Sequence, residues 1–247
     1  MLVQVSRMTE ADIDGAIDTI QQAFANDPYN LWVYPDRSKI SLTRNRVSLT
    51  IRCQWGIRHG LFHVARNTDN PSKILGCAMW LPPRQPAQPE SWPLYLSSWW
   101  LWFSQVRMNL WYGRGGLSTT RYWIWKKRQA EAQEKLWTSH KGYYFCNIVT
   151  VLPEAQGKGI GRALMEEVLQ QADKEGVWCY LESSKREPNV AIYERFGFEL
   201  AKEMDCQDDE SEDGRITLYC MLREPKPLDD VRGARKRDER PGATLHP

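Results

Sequence analysis

Ile148-Val-Thr-Val-Leu-Pro-Glu-Ala-Gln-Gly-Lys-Gly-Ile-Gly-Arg-Ala-Leu164 decides the reading of this chain. Its first residues are β-branched and predict a buried strand. Gly157, Gly159 and Gly161 predict a tight turn, because residues without a Cβ let the main chain bend and approach a ligand closely. Ile160, Ala163, Leu164, Val168 and Ala172 then recur on one helical face, with Lys174 in the last turn and Gly176 able to close the helix. Such a turn aims unpaired backbone N–H groups at one point and adds the positive end of the helix dipole, which suits a phosphate. Lys158 and Arg162 add positive charge.

Three nucleotide-type loops compete for this stretch. A P-loop needs Ser or Thr after its lysine, but Lys158 precedes Gly159. The dinucleotide fingerprint G-x-G-x-x-G fails in both registers, its third glycine being replaced by Arg162 or by Leu164. The remaining pattern is Gln/Arg-x-x-Gly-x-Gly/Ala, here Gln156-Gly-Lys-Gly159-Ile-Gly161. It resembles the pyrophosphate loop of the GNAT acyl-CoA N-acyltransferases. On this motif alone, a glycine turn that merely joins strand to helix stays open.

A second motif follows. Val177-Trp-Cys-Tyr-Leu-Glu-Ser-Ser184 is rich in aromatic and branched residues and predicts another buried strand. In Asn189-Val-Ala-Ile-Tyr193-Glu-Arg-Phe-Gly-Phe198, Asn189 and Tyr193 are one helical turn apart and share a face. Asn-x-x-x-Tyr-x-x-x-Gly-Phe after such a strand resembles the second GNAT hallmark. Ala23-Phe-Ala-Asn-Asp-Pro28 with Trp32 and Pro35-Asp36, Gly76-Cys-Ala-Met-Trp-Leu-Pro-Pro83, and Leu181-Glu-Ser-Ser184 are similar to further parts of the family, among them its puromycin N-acetyltransferase-like small-molecule subgroup. The resemblance covers most of residues 1–223, is specific at 148–198 and is loose at 84–141. It implies an α/β GNAT acyl-CoA N-acyltransferase fold with a mixed, twisted central sheet flanked by helices.

The resemblance also implies chemistry: attack of an amine on the thioester of acetyl-CoA. The coenzyme would meet the main chain at Val149 and Val151, the turn Gln156, Gly157, Lys158, Gly159, Ile160, Gly161 and Arg162, and the side chain of Asn189. Asn189 is also a preferred helix N-cap, and both roles can hold together. Tyr193 would protonate the departing sulfur, since a phenol holds its proton near neutrality; the plain alternative is a tyrosine packed on the core. Some family members place a general base at the position of Phe145, which cannot take a proton. Glu182 and His140 are the remaining candidates, with Glu182 preferred over a purely structural carboxylate or a water chain.

Composition narrows the rest. The chain has 247 residues, enough for one sizeable core, and a net charge of +2. No basic stripe calls for nucleic acid. Six cysteines stand singly without a C-x-x-C pair, which predicts reduced core thiols in a cytoplasmic protein; no metal is expected. Residues 2–7 predict a strand, 10–26 a helix with Thr9 and Asp12 as a capping box and Asp27-Pro28 as its end, and 38–59 a second helix. A hairpin is expected around Asp69-Asn70-Pro71, and two last strands at Glu199–Asp205 and Arg215–Leu222 with a solvated acidic loop at 208–213.

Residues 84–141 hold eight of the twelve tryptophans. Their apolar residues recur at helical spacing, which predicts one or two helices packed on the sheet. A wall or lid of an acceptor pocket is the functional reading, because tryptophan faces take flat or aromatic groups and hold cations. Polar interruptions argue against a membrane span and stable membrane insertion; interfacial binding is a third option, although the segment lacks a dense basic face. The expected acceptor is a small amine with an apolar or aromatic body, lined by Phe24, Tyr29, Trp32, Trp99, Trp102 and Phe145. The expected organisation is one domain over 1–224, with 84–141 as a Trp-rich helical insertion and 225–247 as a flexible tail. Rival readings are a protein or peptide N-acetyltransferase and a non-catalytic CoA-binding sensor.

Overall fold

The computed structural model describes residues 3–84, 92–211 and 214–227. The expected tail falls mostly outside the described residues. Among the described residues seven strands form one sheet in the order β1-β2-β3-β4-β5-β7-β6. They are β1 (Val3–Arg7), β2 (Leu61–Asn67), β3 (Asn70–Leu81), β4 (Tyr143–Val151), β5 (Trp178–Ser183), β6 (Glu199–Gln207) and β7 (Arg215–Arg223). β4 and β5 run parallel; every other pair is antiparallel. The β-branched run at 148–151 and the aromatic run at 178–180 lie in the two central strands, where both faces are covered.

Among the described residues seven α-helices accompany the sheet: α1 (Ile13–Ala23), α2 (Pro28–Val33), α3 (Leu42–His59), α4 (Trp92–Tyr112), α5 (Thr119–Leu136), α6 (Ile160–Glu175) and α7 (Asn189–Glu194). Alternate residues of β3 go to opposite sides: Ala78 and Trp80 join the core under α6, whereas Cys77 and Met79 join that under α1 and α3. On the α1 side, a further cluster under α2 and α5 gathers Trp32, Tyr143, Phe145 and Tyr180. Gly76 lets α6 settle, because a Cβ there would stand 3.3 Å from Ile160, 3.1 Å from Leu164 and 2.6 Å from the Thr150 carbonyl.

Four expectations are corrected. Asp12 does accept from the Thr9 N–H and hydroxyl, both at 2.8 Å, but these close a 3-10 turn at Glu10–Asp12 ahead of α1. Asp27-Pro28 begins α2: the Asp27 carboxylate accepts from Tyr29 N and Asn30 N, and Pro28 takes the first helical position. The 208–213 segment is not simply solvated. Asp208 is buried and accepts from Arg121 Nε at 2.8 Å, while other Arg121 nitrogens donate to the Trp32 carbonyl and to Ser211 Oγ. Finally, α4 is no core helix; its only buried residues are Ser104 and Met108.

Candidate active site

The site begins where the sheet forks. β4 and β5 pair only from Tyr143↔Trp178 to Cys146↔Leu181. The β3–β4 register slips between Met79↔Ile148 and Trp80↔Cys146, which makes Asn147 the extra residue of a bulge. Beyond it β4 continues beside β3 while β5 diverges. The Leu152 N–H donates to the Leu75 carbonyl on the β3 side at 2.8 Å. Main-chain groups alternate along a strand, so Val151 and Val149 direct theirs into the fork. Gln156 Nε2 reaches the Val151 carbonyl there at 3.3 Å.

The turn after β4 completes this edge. Gly157 (φ 75°) and Gly159 (φ 79°) occupy left-handed conformations, and a Cβ on either would meet nothing of the described residues within 4 Å. Gly159 stands at the N-cap of α6 and offers no side-chain cap. The first main-chain bond of the helix runs from Ala163 N to Gly159 O, so the amides of Ile160, Gly161 and Arg162 have no helical acceptor. Ile160 contributes only its amide, since its side chain is in the core. Lys158 and Arg162 are exposed on the rim: Lys158 Nζ donates to the Glu154 carbonyl at 2.8 Å, and Arg162 lies 3.8 Å from Glu166. An anion over this turn would meet three converging amides and two exposed cations.

Tyr193 stands on the α6 side of the fork. Its ring packs edge-on to Phe198, with centroids 6.2 Å apart. Burial raises its phenol pKa, and the facing Cys146 thiol and Asp27 carboxylate add to the effect. The group therefore keeps its proton and can serve as an acid, never as a neutral-pH base. Among the described residues nothing hydrogen-bonds the hydroxyl. Asn189 is not an N-cap, which corrects one of the two roles expected for it. Pro188 occupies the cap, and Asn189 Nδ2 instead donates to Ser183 Oγ at 3.0 Å.

Glu182 lies one residue past the last β4–β5 pair, on the opposite face from Tyr193. Tyr180 OH donates to its Oε1 at 2.7 Å and Gln129 Nε2 to its Oε2 at 2.8 Å. Lys126 Nζ donates to Gln129 Oε1 at 3.1 Å and stands 4.8 Å from the centre of the Trp125 ring. Burial raises the carboxyl pKa of Glu182, outweighing the hydrogen bonds from Tyr180 and Gln129 and the Lys126 charge. A carboxylate so tuned is suited to accept a proton from an ammonium group.

The aromatic residues divide. Tyr29, Trp32 and Phe145 belong to the cluster beside Glu182; Tyr29 lies 5.1 Å from Trp125, and Phe145 lies 5.3 Å from Tyr180. Trp32 is nearly inaccessible, its Nε1 donating to the Gly214 carbonyl at 2.8 Å. Phe24 packs instead with α1 and β2–β3. Trp99 and Trp102 stay outside this assembly, more than half exposed on α4 and 5.7 Å from one another. His140 is exposed in the turn before β4, at the strand end away from the fork. Four to five residues of strand, roughly 15 Å, separate it from the fork.

Sequence reading missed Gln129, Tyr180, Lys126 and Trp125. The strand period did carry one signal, since Tyr180 and Glu182 are two apart and must share a face. It also missed Asp27, whose carboxylate accepts from the Ser184 hydroxyl and so ties α2 to the end of β5.

Comparison with known proteins agrees with this architecture. A family described as "Acetyltransferase (GNAT) domain" matches residues 119–200. An uncharacterised N-acetyltransferase of Schizosaccharomyces pombe is 32% identical over 133 residues, which is 51% of this chain and 51% of that protein. The chain thus aligns with about half the length of this curated relative. Among solved structures, arylalkylamine N-acetyltransferase 2 of Aedes aegypti superposes with a TM-score of 0.59 at 14% identity, covering 92% of this chain and 100% of that one. A Corynebacterium glutamicum structure described as histone acetyltransferase HPA2 and related acetyltransferase gives 0.57 at 20% identity, covering 92% and 98%. These two likenesses establish the fold.

Proposed function

We propose, from the premise that this chain belongs to the GNAT N-acetyltransferase superfamily, that it transfers an acetyl group from acetyl-CoA to the primary amine of a small acceptor with an apolar or aromatic body. One observation carries the reading: the fork beyond Cys146↔Leu181 runs directly into the open amides at the start of α6. The residues fit acetyl-CoA. Amides from Gly157 to Arg162 suit its diphosphate, Val149 and Val151 main-chain groups suit its amide-bearing arm, and Asn189 sits at the same fork.

The fork also separates the two proton transfers in a direct, ternary-complex reaction. Glu182 takes the proton of the acceptor ammonium on the α5 side, with Gln129 and Tyr180 holding its carboxylate in place. Tyr193 supplies a proton to the departing sulfur from the α6 side and is reprotonated from solvent, which also receives the second proton shed by the acylated nitrogen. Main-chain N–H groups of β4 face the acetyl oxygen and oppose the charge that builds there. Tyr29, Trp125 and Phe145 support an apolar or aromatic acceptor body, and the raised carboxyl of Glu182 supports the amine.

Thiol release measured on a panel of amines tests the reading. Aromatic and apolar primary amines should turn over best. Activity confined to spermidine or histone-tail peptides would reject the acceptor class. Thermal stabilisation by acetyl-CoA without thiol release from any amine would make the chain a coenzyme-binding sensor.

A further inference from the structure

α4 is inside out. Its hydrogen-bonding residues face α3: Ser48 Oγ donates to Gln105 Oε1 at 2.8 Å, Gln105 Nε2 donates to the Ser48 carbonyl at 3.1 Å, and Arg44 donates to Asn109 Oδ1 at 2.6 Å. Its aromatic residues face away from the protein. Trp92, Leu96, Trp100, Leu110 and Trp111 are 62 to 83% exposed, and Trp99, Trp102 and Phe103 are about half exposed. At 100° per residue these positions fall within one half of the helical circumference. Ten of the fifteen exposed large apolar side chains of the described residues lie on this one helix. Monomeric soluble proteins seldom leave a contiguous patch of this kind to water.

We propose that this face docks peripherally on an anionic lipid bilayer. Composition and charge select that occupant. Tryptophan and tyrosine pair an apolar body with a polar N–H or O–H, the combination that settles at the boundary between headgroups and acyl chains. No helix among the described residues is long and apolar enough to cross a membrane, so α4 lies on the bilayer rather than through it. From Trp92 to Ala130 the sequence contains no Asp or Glu. Arg107 projects from the apolar face itself, and Arg114 and Lys127 are exposed nearby in sequence; none of the three has a carboxylate partner among the described residues. A second copy is the poorer occupant. In a twofold dimer the face would meet itself, gathering the arginines of both copies along one apolar seam with no acid on either face to pair them.

The test uses the full chain and vesicles of phosphatidylcholine with and without phosphatidylserine. Co-sedimentation is expected with the anionic vesicles, weakened by salt, with a blue shift of tryptophan emission and quenching by brominated acyl chains. The Trp92→Ser/Trp100→Ser/Trp111→Ser variant should lose more than tenfold in partitioning, at an unchanged melting temperature and unchanged thiol release in lipid-free assays. Arg107→Glu should lose roughly fivefold on anionic vesicles only. Should the triple variant fold poorly, Arg107→Glu and brominated-lipid quenching of the unaltered chain decide. Absence of sedimentation and quenching at every lipid composition would overturn the proposal. So would a lipid-free dimer that the substitutions convert to monomer, which would assign the face to a second copy.

Discussion

Gln129 on α5 and Glu182 on β5 are joined by a 2.8 Å hydrogen bond from Nε2 to Oε2. Tyr180 occupies the other carboxylate oxygen, so Glu182 has one orientation. Its raised pKa makes it protonated at pH values where an ordinary carboxyl is already ionised. A base must be deprotonated to act, so kcat/KM should rise with pH through a limb lying above the usual carboxylate range. Glu182→Gln should remove that limb and lower kcat/KM by about 10²–10⁴-fold. Gln129→Ala should keep the limb but move it and cost less. An unaltered pH–rate profile in Glu182→Gln would take Glu182 out of the reaction.

Tyr193→Phe should bind acetyl-CoA as the unaltered chain does and lose roughly 10²–10⁴-fold in kcat. The ring contact with Phe198 survives the change, and the hydroxyl has no protein hydrogen bond to lose among the described residues. Calorimetry for binding and thiol release for turnover separate the two quantities. Equal loss of both would make Tyr193 a structural residue.

The glycines of the turn should differ from one another. Gly157→Ala and Gly159→Ala must hold a side chain at φ 75° and 79°, a cost of about 1–2 kcal/mol each, and should weaken acetyl-CoA binding. Gly161 lies inside α6, and its added Cβ would make only an ordinary 3.7 Å contact with Val151. Gly161→Ala should therefore bind acetyl-CoA nearly normally. Titration of the three variants with the coenzyme checks the order.

Arg121 and Asp208 form a buried pair that also grips the Trp32 carbonyl and Ser211. Removing one partner leaves the other charge buried, so Asp208→Asn or Arg121→Leu should cost about 3–5 kcal/mol in denaturant unfolding. The cost should fall if both are replaced together. The double variant separates a charge-pairing effect from simple loss of packing.

His63 on β2 predicts an acid-sensitive step in stability. Burial, and then the Arg7 charge, pull its pKa from 6.5 down to about 4, and its Nδ1 has no hydrogen-bond partner among the described residues. Between those pH values the unfolded chain binds a proton that the native chain refuses. Its contribution is intact above pH 6.5, declines as the pH falls toward 4, and is exhausted below, about 3 kcal/mol at most. His63→Leu should flatten unfolding free energy across this window, and an unchanged slope would contradict the assignment.

The sequence by itself determined what rests on local geometry. Glycines able to adopt positive φ, a β-branched run before them and a helical apolar stripe after them specify the strand, turn and α6. The one-turn spacing of Asn189 and Tyr193 specifies their common face. Tertiary structure alone decided what depends on residues far apart in the chain. Glu182 acquires Gln129 from 53 residues away, and Asp208 acquires Arg121 from 87. Periodicity drew a stripe on α4 but could not say which side faces outward; only the packing of Gln105 and Asn109 against α3 did so, and with it left Trp99 and Trp102 exposed. Local sequence sets the shape of each element. The partner that meets each face is chosen by the free energy of the whole assembly, which no short window contains.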